Sequence, residues 1–119
     1  MDVKEYQRLA ARTLIDRPGF EIPDTEIMAV WDVIGLTGEA GEVADLVKKG
    51  VFHRHGLDLP KIEKELGDTL WYVAALCTTL GLDMSAIMQA NIEKLKVRYP
   101  NGYTSEDSLR RVDVNADGD

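Results

Sequence analysis

Two pairs of acidic residues stand out because each repeats at a spacing of three inside a stretch that reads as an amphipathic helix. Glu39 pairs with Glu42, and Glu65 pairs with Asp68. Because an α-helix advances by about 100° per residue, residues three apart lie on one face. Each pair therefore presents two carboxylates in the same direction. Like charges at this spacing repel one another, and a divalent cation would remove the repulsion.

The length of chain between the two pairs predicts that they face each other. Residues 43–64 are enough to finish one helix, turn and begin the next. Carboxylate oxygens are hard ligands that suit Mg²⁺, with Mn²⁺ as a substitute. No Cys or His stands at ligand spacing beside the acids, which argues against zinc, and the sequence lacks the Glu-x-x-His repeat of di-iron bundles. We therefore predict a magnesium site formed by all four carboxylates.

A second group of residues could bind a substrate beside the metal. Its members are polar, basic or aromatic: Lys49, Lys61, Tyr72, Asn91, Lys94 and Arg98. The last three fall at i, i+3 and i+7 of one predicted helix and so share a stripe. Tyr72 lies one turn beyond Asp68, where its ring could stack on a base or fill the core. Metal, cations and an aromatic wall together describe a nucleotide site.

Hydrophobic periodicity predicts the helices that position these residues. They span about 2–16, 25–49, 60–80 and from 84 to a stop at Pro100-Asn101-Gly102. Gly50 and Gly81 are the predicted C-caps of the second and third helices, and Arg17-Pro18-Gly19 ends the first. Short links imply antiparallel neighbours, so the predicted fold is all-α, an antiparallel four-helix-type bundle. The domain covers residues 1–110, and residues 111–119 form a poorly ordered, flexible C-terminal tail.

Three glycines inside the predicted second helix need an explanation. Gly35, Gly38 and Gly41 each cost about 1 kcal/mol relative to alanine in a helix interior. Such residues indicate close approach by another backbone or a ligand, or a kink.

Composition excludes several classes of function. With 119 residues, the chain is long enough for one domain. Its net charge of -7 argues against binding of DNA or RNA. The longest apolar run, Leu70 to Cys77, is too short to cross a bilayer, and the start of the chain lacks the apolar core of a signal peptide. We expect a cytoplasmic protein without a membrane partner, in which Cys77 is a buried, unpaired thiol.

Three segments of the sequence resemble the MazG-type all-α nucleoside triphosphate pyrophosphohydrolases. The first is Gly35-Leu36-Thr37-Gly38-Glu39-Ala40-Gly41-Glu42-Val43-Ala44-Asp45. The second is Glu65-Leu66-Gly67-Asp68-Thr69-Leu70-Trp71-Tyr72, and the third runs from Asn91 to Pro100. The similarity covers roughly residues 3–110.

The resemblance implies Mg²⁺-dependent hydrolysis of a (d)NTP between its α and β phosphates, with a role in clearing or balancing nucleotide pools. Glu39, Glu42, Glu65 and Asp68 would act in metal binding and catalysis. Lys94 and Arg98 would contact phosphates, Asn91 and Tyr72 would contact sugar or base, and Lys49 and Lys61 are further candidates. Gly38 stands where some relatives carry an additional acid as base, so the choice of base among the carboxylates stays open. The resemblance also implies a homodimer or homotetramer.

Two other functions fit the same residues. A non-catalytic helical module could bind a nucleotide or a protein partner and keep the acids without using them. A phosphoribosyl-ATP pyrophosphohydrolase would use the same bundle chemistry on one substrate and ignore dNTPs.

Overall fold

The structure, a computed structural model, describes residues 1–14 and 24–117. Its helices are α1 (Val3–Ala10), continued by a 3-10 turn (Ala11–Thr13), α2 (Asp24–Phe52), α3 (Leu59–Leu80), α4 (Met84–Arg98), α5 (Ser105–Arg110) and α6 (Val112–Asp117). The described ranges contain no β-strand, so the all-α prediction is confirmed. The predicted stop at Arg17-Pro18-Gly19 lies outside the described residues. No single helix in those ranges is both long enough and apolar enough to span a membrane. The bent pair of α3 and α4 meets the length and composition of a span only when the two helices are taken together.

The centre of the fold is an antiparallel hairpin of α2 and α3. Asp58 caps α3 because its carboxylate accepts a hydrogen bond from the Lys61 backbone N–H at 3.2 Å. Pro60 occupies the first turn, where a missing N–H costs nothing. Gly81 ends α3 in the left-handed region, with φ of 69°, as the sequence predicted.

Gly50 has a different role from the predicted one. Helix α2 runs on to Phe52, so the prediction that Gly50 caps the helix was wrong. A Cβ atom at Gly50 would lie 2.8 Å from both the carbonyl oxygen of Gly56 and the Cδ2 atom of Leu57. Glycine is therefore needed here because the returning turn packs directly on the helix backbone.

Helix α1 packs against α3, and the small buried core of this part of the chain lies between them. The core contains Ala10, Ala74, Cys77 and Met84, with Val3, Tyr6, Trp71 and Val73 packed around it. Cys77 is buried and unpaired, as predicted, and burial raises the pKa of its thiol. The Gln7 amide fixes α1 to the end of α3: its Nε2 donates to the Leu82 carbonyl at 2.9 Å, and its Oε1 accepts from the Met84 N–H at 3.1 Å.

The chain divides into two compact units, Met1–Met84 and Ser85–Asp119. In the second unit, Thr104 caps α5 by accepting from the Asp107 N–H at 3.0 Å. The predicted flexible tail, residues 111–119, contains helix α6, and the side chain of Asp113 within it is buried. An ion pair with Arg98 holds Asp113 in place. Local helix periodicity could not reveal this contact because it joins residues that are 15 positions apart.

A buried acid joins α2 to α3 at the end of the hairpin away from the turn. Asp32 is 0% exposed, and its Oδ2 accepts a hydrogen bond from the Thr79 hydroxyl at 2.7 Å. Its Oδ1 atom is buried with no hydrogen-bond partner in the part of the chain that the structure describes. Burial raises the pKa of the Asp32 carboxyl, while the hydrogen bond from Thr79 acts in the opposite direction. Ionisation of Asp32 therefore opposes folding.

We expect Asp32→Asn to raise the melting temperature by a few degrees near pH 7, because asparagine keeps an acceptor for Thr79 without a buried charge. The sign follows from the raised pKa. The unfolded aspartate ionises near pH 3.9, so the cost of ionisation is absent below that pH and grows as pH rises toward the folded pKa. The gain from Asp32→Asn should accordingly shrink as pH falls toward 4.

Thermal melts at a series of pH values measure this effect. Glu63→Gln is the matched control, since it removes one negative charge at an exposed position of α3. An equal gain from Asp32→Asn at pH 4 and pH 7 would contradict the assignment of the cost to buried charge.

Candidate metal centre

Three of the four predicted acids converge on one point between α2 and α3. Glu39 lies on α2, and Glu65 and Asp68 lie three residues apart on α3. One carboxylate oxygen from each lies within 4.8 Å of the other two. Oxygens on opposite sides of a Mg²⁺ ion are about 4.2 Å apart, because each Mg–O bond is about 2.1 Å. The cluster therefore has nearly the dimensions that a single ion needs.

Electrostatics within the cluster favour a positive charge. The pKa of Glu39 is raised from 4.5 to about 7, first by a side-chain hydrogen bond with Glu65 and then by partial burial. The negative charges of Glu65, Asp68 and Glu42 raise it further. The last of these causes shows that Glu39 lies among several negative charges. A cation at the same place would relieve that repulsion more fully than one proton.

Glu42 does not join the cluster of three acids. Its side chain is exposed, one turn after Glu39 on α2. It is still close enough for its charge to raise the pKa of Glu39. A metal-binding role for Glu42 stays a prediction, whereas Glu39, Glu65 and Asp68 are already together.

An aromatic wall borders the acids. Glu39, Asp68, Trp71 and Tyr72 line an open pocket of about 300 Å³. The two rings meet edge to face, with centroids 4.9 Å apart and an interplanar angle of 85°. The Trp71 indole N–H donates to the Thr13 hydroxyl at 2.8 Å, which ties this wall to the N-terminal segment.

Trp71 is the site residue that the sequence analysis missed. It belongs to the apolar run from Leu70 to Cys77, and it packs beside the core as well as lining the pocket. One signal was available, because Trp71 stands three residues after Asp68 and so lies on the same helix face.

The two predicted lysines lie near the turn between α2 and α3. Both line a second pocket of about 240 Å³, together with His55. Lys49 pairs with Asp45 at 2.8 Å, which raises the pKa of the lysine, and Lys61 lies 3.8 Å from Asp58. At about 1.5 Å of rise per residue, Lys61 is about 6 Å along α3 from Glu65. Lys49 is about 15 Å along α2 from Glu39, so Lys61 is the nearer of the two to the acids.

The remaining predicted substrate ligands belong to the second unit. Asn91 and Lys94 are exposed on α4. Arg98 is half-buried and forms a two-point ion pair with Asp113, with Nε–Oδ1 at 2.6 Å and Nη2–Oδ2 at 2.8 Å. The hydrogen bond with Arg98 holds the pKa of Asp113 below its usual range. The pair occupies one edge of the guanidinium group, and a phosphate contact by Arg98 stays a prediction.

Comparison with known proteins places the sequence in a family. A family model described as the MazG nucleotide pyrophosphohydrolase domain matches residues 33–103, which is more than half of the chain. The chain belongs to the MazG family. The match includes all four predicted acids and the stripe from Asn91 to Arg98, so the resemblance noted in the sequence is confirmed.

A relative of known sequence is similar over most of the chain. The "Gene 37 protein" of Mycobacterium phage L5 is 37% identical over 106 residues, which cover 86% of this chain and 92% of the phage protein. No solved structure matches the chain.

The raised pKa of Glu39 leads to a test of cation binding. A divalent ion must displace the proton of Glu39, so we expect Mn²⁺ affinity to fall as pH is lowered through about 7. The fall should approach about tenfold per pH unit at lower pH, since one proton exchanges for one ion. Mn²⁺ titration followed by electron paramagnetic resonance at pH 6, 7 and 8 measures it.

Two variants control for general charge effects on Mn²⁺ binding. Glu39→Gln should bind more weakly and lose the steep dependence around pH 7, while the exposed Glu63→Gln should keep both affinity and slope. Unchanged Mn²⁺ affinity in the wild-type protein from pH 6 to pH 8 would show that Glu39 does not hold the ion.

Proposed function

We propose that this MazG protein is a Mg²⁺-dependent pyrophosphohydrolase that cleaves a nucleoside triphosphate into the monophosphate and pyrophosphate. The observation that carries the proposal is the convergence of Glu39, Glu65 and Asp68 beside the aromatic pocket, in a chain that belongs to this family. A role in clearing or balancing the cellular nucleotide pool is part of the proposal.

The charge of the site supports a need for metal. Without a cation, Glu39, Glu65 and Asp68 would repel the phosphates of a nucleotide. These three residues supply only carboxylate oxygens, the donor type that Mg²⁺ prefers, and Glu42 is the proposed fourth ligand. A bound Mg²⁺ ion would supply positive charge against the phosphate oxygens and promote deprotonation of water. The carboxylates would thus fix the place where the triphosphate chain meets the protein.

The aromatic pocket fits the other end of the substrate. At about 300 Å³, it lies at the lower end of the range for small-molecule sites, about 300–1,000 Å³. We assign the base, with the adjoining sugar, to the wall formed by Tyr72 and Trp71. The triphosphate must then extend beyond the pocket, and on α3 its proposed partner is Lys61. Phosphate contacts by Lys94 and Arg98 are proposed from the sequence alone. Such positioning would hold the α phosphorus near the metal while the cations offset charge on the leaving pyrophosphate.

We also propose that the protein is a homodimer or homotetramer. Helix α2 carries large apolar side chains that are exposed: Val30 is 51% exposed and Ile34 is 65% exposed. Phe52, near the end of the same helix, is 79% exposed. A row of exposed apolar residues along one helix is typical of an interface between subunits.

A pyrophosphate-release assay tests the proposed activity. Across a panel of ordinary and modified NTPs and dNTPs, we expect turnover with Mg²⁺ or Mn²⁺ and none in EDTA. Asp68→Asn and Glu65→Gln should lower kcat/KM by at least about 100-fold, because each removes a proposed metal ligand. Glu42→Gln tests whether this exposed acid moves to the metal when substrate binds, in which case its loss is similarly large.

The controls distinguish a loss of catalytic activity from a loss of the folded structure. Glu63→Gln should keep wild-type activity, and circular dichroism should show that all variants remain helical. No turnover of any nucleotide would favour a non-catalytic binding module, and turnover of phosphoribosyl-ATP alone would favour the histidine-pathway enzyme.

Light scattering tests the proposed oligomer. The wild-type protein should have the mass of two or four chains, and Ile34→Glu should shift it toward the monomer, because the variant places a charge in the apolar face. Lys64→Glu, at an exposed position of α3, is the control and should keep the wild-type mass. A monomeric wild-type protein would contradict the proposal.

A further inference from the structure

The ring of Tyr72 rests directly on the backbone of α2 at Gly35. A Cβ atom added at Gly35 would overlap the Tyr72 ring, with Cε1, Cζ and Cδ1 as the nearest atoms. The ring is the rigid part of the side chain, so it could make room only by rotating or by pushing the two helices apart. Only glycine at position 35 leaves the ring where it is.

The neighbouring glycines of α2 differ from Gly35 in this respect. A Cβ atom at Gly38 or Gly41 would meet nothing within 4 Å among the described residues. All three positions lie inside the same helix, where glycine is less favourable than alanine. The contact with Tyr72 accounts for the glycine at position 35 alone.

Two contacts therefore fix the Tyr72 ring. Gly35 leaves space for it on α2, and the Trp71 ring meets it edge to face on α3. Trp71 is in turn held by its hydrogen bond to Thr13. The Tyr72 ring has a defined place relative to the acids, because Glu39 is one helical turn after Gly35 and Asp68 is one turn before Tyr72.

We propose that Gly35 is a positioning residue for the substrate base, acting through Tyr72. This inference rests on the proposed function, because it takes the occupant of the aromatic pocket to be the base of a nucleotide. Gly35 would not touch the substrate. It would set how far the Tyr72 ring stands from the carboxylates, and so whether a base can stack on the ring while its phosphates reach the metal.

The test compares glycine-to-alanine changes at two positions of one helix. Gly35→Ala should raise KM for a turned-over dNTP by about tenfold, the size expected when a base loses a stacking partner. It should leave kcat and Mn²⁺ affinity within about twofold of wild type, because we expect the ring to make room by rotating, which keeps the acids of α2 and α3 at their spacing. A large fall in Mn²⁺ affinity would show that the helices had been pushed apart and would overturn a role that acts through the ring alone. Gly38→Ala, the matched control, should not raise KM, since its added methyl group meets no described atom. A Gly35→Ala enzyme with wild-type KM would overturn the proposal.

A second experiment needs no activity. Gly35→Ala should lower the melting temperature by about 5 °C or more, because it overpacks the hairpin, and should change the near-ultraviolet circular dichroism of the Trp71–Tyr72 pair. In a Tyr72→Ala background, Gly35→Ala should not lower the melting temperature, because the ring that the added methyl group would overlap is absent. Loss of stability in both backgrounds would overturn the contact.

The two experiments distinguish a failure of the proposed function from a failure of the positioning role of Gly35. If no nucleotide is turned over by the wild-type protein, the proposed function fails and the positioning role fails with it, while the melting data still decide the Gly35–Tyr72 contact. If nucleotides are turned over but Gly35→Ala matches Gly38→Ala in KM, only the positioning role fails.

Discussion

The close approach of like charges across the α2–α3 hairpin is the constraint on which the site depends. The hairpin is held at both ends, by the Asp32–Thr79 hydrogen bond on one side and by the packing of the turn on Gly50 on the other. The acids lie between these two contacts and cannot move apart without breaking the helix packing. Glu39 responds by keeping a proton to about pH 7. The fold thus maintains a local repulsion that the proposed cation would relieve.

The aromatic side of the pocket depends on a different part of the chain. Helix α1 contributes no residue to the cluster of three acids, yet its continuation supplies the Thr13 hydroxyl that fixes Trp71. Gln7 binds the same segment to the end of α3 through backbone contacts at Leu82 and Met84. The N-terminal segment is therefore a support for the site, because it holds the ring pair while the hairpin holds the carboxylates.

Sequence periodicity and spacing were sufficient to predict helices α2, α3 and α4 and the meeting of Glu39 with Glu65 and Asp68, because these depend on residues within a few turns of one another. They did not predict α5 or α6, and they extended the first helix beyond Ala10. The 39/65/68 cluster followed from two i, i+3 pairs and a spacer long enough for a turn. Contacts between distant residues were not predictable in this way. The local sequence predicts Gly50 as a helix cap, but its actual role is to let the returning turn pack on α2. The need for glycine at position 35 depends on the Tyr72 ring, which comes from a different helix. Likewise, the local sequence pattern does not predict α6, because the Arg98–Asp113 pair that anchors this helix joins two segments with no shared local pattern.

The proton on Glu39 also affects the net charge of the protein and therefore its long-range electrostatic field. The formal charge of -7 counts every acid as ionised, so it overstates the negative charge of the metal-free chain near neutral pH. When a divalent ion enters and the proton leaves, the total charge rises by one unit instead of two. Filling the site changes the long-range field only slightly, and an approaching polyanion still meets an acidic protein. Binding of the proposed nucleotide would then gain little from long-range attraction and would depend on short-range coordination by the ion.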